Sequence, residues 1–250
     1  MIIAKPIMLS SKGRCLRSLK FILLVFPLLA NAPAHGQDAM HYFNLGLESS
    51  STREKIECFT KALELKPDLA IIYEKRGILF YFQKEYHRAI QDFQKYIQLA
   101  PAKGETCRML GLAYLKSRMY QPAIMIFTGM IETEPKCAVA YANRAEAYRL
   151  SGQHEEAIRD ATRVINYRAD PITKVAAYTT RAKVYWKIGQ NELAAEDVRA
   201  AVIVDPRNWF RDWFRYASPD DLRRAAPVLI IAIAIALIFG VKLRPPKKDD

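Results

Sequence analysis

The feature that most limits what this chain can fold into is a self-similarity with a period of about 34 residues. Between Gly104 and Pro135 the sequence places Cys107, Leu110-Gly111, Tyr114, Ala123, Phe127 and Pro135. Moving back by one period finds Tyr73, Gly77, Phe80, Ala89, Phe93 and Pro101; moving forward by one period finds Tyr141, Ala145, Tyr148 and Ala157. A period of this length, with small residues at two fixed places and aromatics at others, describes a stacked pair of helices whose close crossing admits only Gly or Ala. Pro67, Pro101, Pro135 and Pro206 fall where one helix must stop before the next pair begins. No single pair can bury its aromatics alone, so the repeats are expected to stack into one all-α array.

This pattern resembles the tetratricopeptide repeat (TPR) family over roughly residues 39–206, which implies an α-solenoid of about five helix pairs. Pairs two and three follow the pattern best. In the first, Phe59, Ala62 and Pro67 keep step, but Gly46 stands less than a full period before Gly77, so the turn around Ser49–Thr52 reads as three residues short. Pair four carries Ala145 for the Gly and Ala161 for the aromatic. Pair five, with Tyr178, Ala182, Tyr185 and Ala194, follows a three-residue insertion near 168–174. Tyr73, Tyr114, Tyr148 and Tyr185 are expected in the core. The resemblance implies a concave groove lined by the first helix of each pair, which maps here onto Glu74, Lys75, Tyr81, Phe82, Arg108, Lys116, Asn143, Glu146, Arg149, Lys183, Trp186 and Lys187. Of these, Arg108, Asn143, Arg149, Lys183, Trp186, Tyr81 and Phe82 are the candidate binding residues, with a protein or peptide as ligand. The carboxylate clamp of chaperone-binding members is not carried over, because Glu74 and Ile78 stand where its first Lys and Asn would be.

The ends read differently. Residues 1–36 hold five basic residues and no acid, then the apolar run Phe21–Ala30, then Ala34-His35-Gly36, the layout of a cleaved signal peptide. A transit peptide is the competing reading, given Ser10, Ser11 and Ser18. After the repeats (37–206), Trp209, Phe210, Trp213 and Phe214 fall on one side of a helix over 207–224, either capping the array or anchoring at a membrane surface. Ala225 to Val241 contains no charged or polar side chain, and an apolar run of that length, near the lower limit for a span, predicts a single transmembrane helix. Ala232, Ala236 and Gly240 recur every fourth residue along it, a stripe that would allow homo-oligomers. The basic tail 242–250 then predicts a cytoplasmic C-terminus, with the repeats on the periplasmic side of a cell inner membrane. The alternative is a tail-anchored organellar adaptor or one of the eukaryotic secretory pathway, for which Lys247-Lys248-Asp249-Asp250 resembles a retrieval signal.

The formal charge of +12 is split as +5 on residues 1–36, +5 on 37–241 and +2 on 242–250. Without a basic run on the repeats, nucleic acid is not an expected partner. His41, His87 and His154 are scattered, and Glu155-Glu156 and Asp220-Asp221 are sequence neighbours that do not face one another. No catalytic residues, metal ligands or cofactors are therefore expected, and the chain reads as a non-catalytic scaffold. Cys58, Cys107 and Cys137 are expected as buried thiols, with a Cys107–Cys137 bridge left open. The first testable expectation concerns processing. N-terminal sequencing of the membrane-fraction protein should find Gln37; recovery of Met1 or Ile2 rejects the cleaved-signal reading.

Overall fold

The computed structural model describes residues 34–100, 104–205 and position 230. The expected signal peptide up to residue 33, and the aromatic stripe, transmembrane segment, small-residue stripe and basic tail apart from Ile230, lie outside the described residues. Among the described residues ten α-helices are present and no strand. They are α1 (Ala34–Glu48), α2 (Thr52–Leu65), α3 (Ala70–Phe82), α4 (Tyr86–Leu99), α5 (Gly104–Lys116), α6 (Tyr120–Thr133), α7 (Ala138–Ser151), α8 (His154–Asn166), α9 (Pro171–Lys187) and α10 (Asn191–Val204). In chain order they follow the expected repeat, with α1–α2 paired in the first unit and α5–α6, α7–α8 and α9–α10 paired in the second. None of the described helices is long and apolar enough to cross a membrane. The chain divides into two compact units at Leu79/Phe80, inside α3.

In the first unit α1 packs on α2 at Gly46, where an added Cβ would lie 2.6 Å from the Phe59 ring. Phe59, Ala62, Leu63 and Ile72 form the buried cluster there, with Tyr42, Phe43 and Tyr73 packed around it. The shortness of the first repeat is not in its turn. Ser49–Ser51 is a three-residue connection like Ser117–Met119; the deficit lies in α1, which runs two residues past Gly46 whereas α5 runs five past Gly111. Ser51 caps α2 by accepting the Glu54 amide, which is the local reason the second helix starts where it does.

In the second unit the crossings are built by matched sizes. A Cβ on Gly111 would lie 2.5 Å from Cζ of Phe127, a ring with no exposed surface. At the same register pair four has Ala145 with Ala161 and pair five Ala182 with Val198, all fully buried. The smaller partner on the second helix makes room for a methyl on the first, so the apparent loss of the aromatic in pair four is a compensated change. The three-residue insertion lengthens α9 to 17 residues, against 14 for α7. It is absorbed as nearly a turn of helix and not as loop. Asp170 starts α9 by accepting from the Thr173 amide at 3.0 Å and hydroxyl at 2.6 Å, with Pro171 in the first turn.

Four turns within pairs share one geometry. Lys84, Arg118, Gly152 and Gly189 occupy the left-handed region, with φ of 65°, 60°, 83° and 84°. In each, that residue donates its amide to a carbonyl three residues back, and the next residue donates five back, as in Glu85 to Phe80 at 2.9 Å and Gln153 to Tyr148 at 2.8 Å. This double bond closes the helix end. At four of the five pair ends the residue before a proline is extended: Lys66, Ala100, Glu134 and Asp205 have φ between −132° and −156°, because the following ring excludes the helical conformation.

A buried charge pattern also runs through the repeats. Arg144 of α7 grips Asp160 of α8 with two bonds, 2.7 and 3.0 Å, and donates a third to Thr128 of α6 at 3.0 Å. Arg181 of α9 repeats this with Asp197 of α10 at 2.8 and 2.7 Å and Thr162 of α8 at 2.7 Å. The Arg side chains are 15% and 16% exposed and their Asp partners 7% and 5%. In the first unit Arg76 likewise donates to Thr60 at 3.0 Å. These guanidiniums lie 5.4–5.9 Å from the ring centres of Tyr73, Tyr141, Tyr148, Tyr178 and Tyr185. The expectation that Tyr73, Tyr148 and Tyr185 are core residues is corrected accordingly. They are half-buried, flanking a cation, and of the four only Tyr114 is buried. The thiols are corrected too: Cys58, Cys107 and Cys137 are free and half-buried, and burial raises the Cys107 pKa.

Two outcomes check this account by urea unfolding. Gly111→Ala should cost about 1–3 kcal/mol by overpacking, and combining it with Phe127→Val should recover at least about 0.5 kcal/mol relative to the sum of the single changes. Strict additivity would reject size matching at the crossing. Asp197→Asn should cost about 3–5 kcal/mol, because it leaves the Arg181 charge buried without its counter-charge.

Candidate functional site

The residues predicted to line the groove fall on α3, α5, α7 and α9. Glu74 and Lys75 are half-buried on α3 in the first unit. The others belong to the second unit. Tyr81 packs edge-on to Tyr86, with centroids 5.6 Å apart, and to Phe82, which is 73% exposed. Arg108 is half-buried and holds Glu105 through two bonds, Nε at 2.8 Å and the shorter Nη2 contact. That bond raises the guanidinium pKa and lowers that of Glu105. Asn143 is half-buried on α7, and Lys116 and Lys187 are exposed.

The structure brings four of the named residues together. Arg149, Lys183, Trp186 and Lys187 line one cleft of about 360 Å³ with Leu150, Gly152 and His154. Trp186 is buried, 5% exposed, so the indole serves as the wall of the cleft and not as a free anchor. Nδ1 of His154, which the sequence placed at an ordinary exposed turn, is buried without a hydrogen-bond partner.

Glu146 organises the cleft's charge. Its carboxylate accepts Nε and Nη2 of Arg149, both at 2.7 Å, and the Thr180 hydroxyl of α9 at 3.2 Å. Burial alone would raise its pKa. The Arg149 bonds, the charges of Arg149 and Lys183 and the Thr180 hydroxyl outweigh burial and hold it below the ordinary carboxylate value. Arg149 is thus engaged by its own helix, as Arg108 is. The cleft carries Arg149, Lys183 and Lys187, with Glu146 bound to Arg149 beside it, leaving a net positive sign. Among the described residues no group of three or more His, Cys, Asp or Glu is placed to hold a metal ion.

Residues 138–171 and 175–208 match the tetratricopeptide repeat, and helix pairs of this register superpose on solved proteins of that kind. The fold is the tetratricopeptide-repeat fold. A tetratricopeptide repeat protein from Parabacteroides merdae aligns with a TM-score of 0.60 at 21% identity, over 85% of this chain and 86% of its own. YrrB, described as a TPR protein with an unusual peptide-binding site, aligns with a TM-score of 0.57 at 23% identity, over 68% of this chain and 87% of its own. By sequence the chain is similar to a DnaJ homolog subfamily C member 7 homolog of Dictyostelium discoideum, 30% identical, over 53% of this chain and 27% of the relative. It is equally similar to the Hsp70-Hsp90 organizing protein of Triticum aestivum, 30% identical over 50% of this chain and 21% of the relative. The chain therefore spans about a quarter of the length of these two relatives.

The buried Arg–Asp pairs were missed in the sequence although their signal is present. Arg144/Asp160 and Arg181/Asp197 each stand 16 apart in the same register. The Glu146 network yields a pH prediction. A carboxyl whose folded pKa is depressed adds stability that is complete above its unfolded value, about 4.3, and is lost as pH falls through the lower folded value. Urea midpoints followed downward from about pH 5 should therefore fall less steeply for Glu146→Gln than for the native chain; parallel profiles would reject the assignment.

Proposed function

We propose that this chain is a non-catalytic, membrane-anchored scaffold whose tetratricopeptide-type groove binds protein or peptide partners. The observation that carries the reading is the cleft beside Trp186. There three cations, one bound acid and an aromatic wall converge from α7 and α9, on the helix faces that the family uses for ligands. A polar, positively signed surface with a fixed aromatic wall suits recognition of an acidic or carboxylate-bearing segment. The peptide-binding site in YrrB's description supports a similar use of the fold. The name of the wheat relative, an Hsp70-Hsp90 organizing protein, supports partner assembly as the class of function.

The reading places the repeats on the periplasmic side of an inner membrane, with residues 1–36 as export signal, 225–241 as the span and 242–250 in the cytoplasm. Its support is the charge asymmetry and the uninterrupted apolar stretch. Reporter fusions on either side of 225–241 test the topology: an export-dependent reporter should be active before the stretch and silent after it. The groove is tested by affinity capture with Arg108→Glu combined with Lys183→Glu. The expected outcome is loss of the captured partner with helicity by circular dichroism unchanged; undiminished capture rejects the groove as the binding surface.

A further inference from the structure

The last described helix turns outward a face unlike that of the second helices before it. α10 buries Ala194, Asp197, Val198, Ala201 and Val202, and it packs on α9, where Asp197 holds Arg181. The opposite stripe, Leu193, Glu196, Ala200 and Ile203 with Glu192 and Arg199 at its margin, shares one side of the helix at spacings of three and four. Leu193 is 42% and Ile203 74% exposed; Glu192, Glu196 and Arg199 are exposed and Ala200 is half-buried. By register, the place of Ile203 holds Glu64, Gln98, Glu132 and Asn166 in the earlier repeats, and that of Leu193 holds Glu54, Arg88, Pro122 and Glu156. A single exposed apolar side chain, such as Met125 in α6, is ordinary on a protein surface. Here two of them flank a Glu and an Arg. Where Glu85 and Arg88, Glu105 and Arg108, or Glu146 and Arg149 stand three apart, the Arg closes an ion pair with its Glu. Glu196 and Arg199 have the same spacing and form no such pair among the described residues.

We propose that this face pairs with the same face of a second copy of the chain, the two α10 helices running antiparallel about a two-fold axis. In such a contact each residue meets one of the second copy and is met by it in return. With the axis beside Val198, Leu193 lies level with Ile203 of the second copy, and Glu196 lies within about 1.5 Å, one helical rise, of the level of its Arg199. Apolar contacts then close both ends of the pair and two Glu–Arg contacts close its middle, where the small Ala200 leaves room for the opposing Glu196. The pattern is its own complement, which selects a second copy as the occupant, and Glu192 and Glu196 within it oppose an anionic lipid surface. One helix against one helix is a small contact, so the pairing is weak and depends on concentration. None of these residues lines the cleft at Trp186. The pair therefore leaves both clefts open, and two clefts on one assembly raise avidity for a partner with repeated binding segments.

The test is the association state of the full chain in detergent micelles, followed by analytical ultracentrifugation, with circular dichroism to confirm that each variant keeps its helicity. The native chain should show a concentration-dependent equilibrium between monomer and dimer. Glu196→Arg alone and Arg199→Glu alone each set like charges across the axis and should raise the dissociation constant about tenfold or more. An equimolar mixture of the two variants should recover pairing, because each supplies the charge the other lacks, whereas a folding defect in either is not repaired by mixing. Ile203→Ser should weaken pairing without being rescued by either variant. A native chain that stays monomeric overturns the proposal: residues 207–224 are then the occupant if Ile203→Ser shifts the tryptophan emission, lipid is the occupant if Ile203→Ser lowers vesicle flotation, and the face is plain solvent-exposed surface if it changes neither. A dimer that persists in both charge variants also overturns it, and loss of that dimer in Ala236→Ile with Gly240→Ile assigns the assembly to the small-residue stripe of 225–241. Failure of the mixture to pair, with both variants folded, rejects the antiparallel register.

Discussion

The described repeats of the second unit depend on holding a guanidinium inside a helix stack. A buried Arg tolerates removal from water only when its donors are met and its charge is answered. Arg144 and Arg181 satisfy this by spending each face of the fork on a different helix: the carboxylate of Asp160 or Asp197 on one side, the hydroxyl of Thr128 or Thr162 on the other. Each Arg therefore fixes its own helix against the second helix of its pair and that of the preceding pair. Because α8 supplies both Asp160 and Thr162, the two grips share a helix, and α6 to α10 are registered by directional bonds as well as by apolar packing.

The groove inherits its precision from this arrangement. Position on the first helix alternates between residues committed inward, such as Arg144 and Ala145, and residues at the cleft, such as Arg149, which Glu146 holds from behind. Since Thr180 reaches back from α9 to Glu146, the cleft's charge is tied to the spacing between neighbouring repeats. A change in that spacing alters the field a ligand meets as well as the width of the cleft.

Much of the fold was legible in the sequence because close crossing and helix termination are local demands. Gly46 and Gly111 meet a ring, and Pro67 and Pro135 force their predecessors out of the helix, whatever the distant surroundings. The site was less legible. Membership of a groove-facing register says where Trp186 is placed but not that it is buried, nor that Arg108 and Arg149 find carboxylates three residues away on their own helices. The insertion's place near 168–174 was legible but its form was not: three extra residues nearly complete a helical turn, so α9 extends without disturbing the phase of its buried face. The tyrosines were misjudged because an aromatic position signals contact area without saying whether a cation shares it.

The same alignment exposes one interrupted link. At the place of the gripping Arg, pair three has Leu110, with Ile126 for the Asp and Gln94 for the Thr. Gln94 turns instead to the Tyr114 hydroxyl at 2.7 Å. Between α5 and α6, then, the ion-paired Arg grip of pairs four and five is absent, and between α4 and α5 the Arg–Thr bond gives way to the Gln94–Tyr114 bond. Apolar contact is non-directional and lets surfaces slide, whereas a bidentate ion pair resists shear until it breaks. Under a pulling force along the second unit, α5 is the compliant element, since it is held without the Arg–Asp grip that fixes α7 and α9.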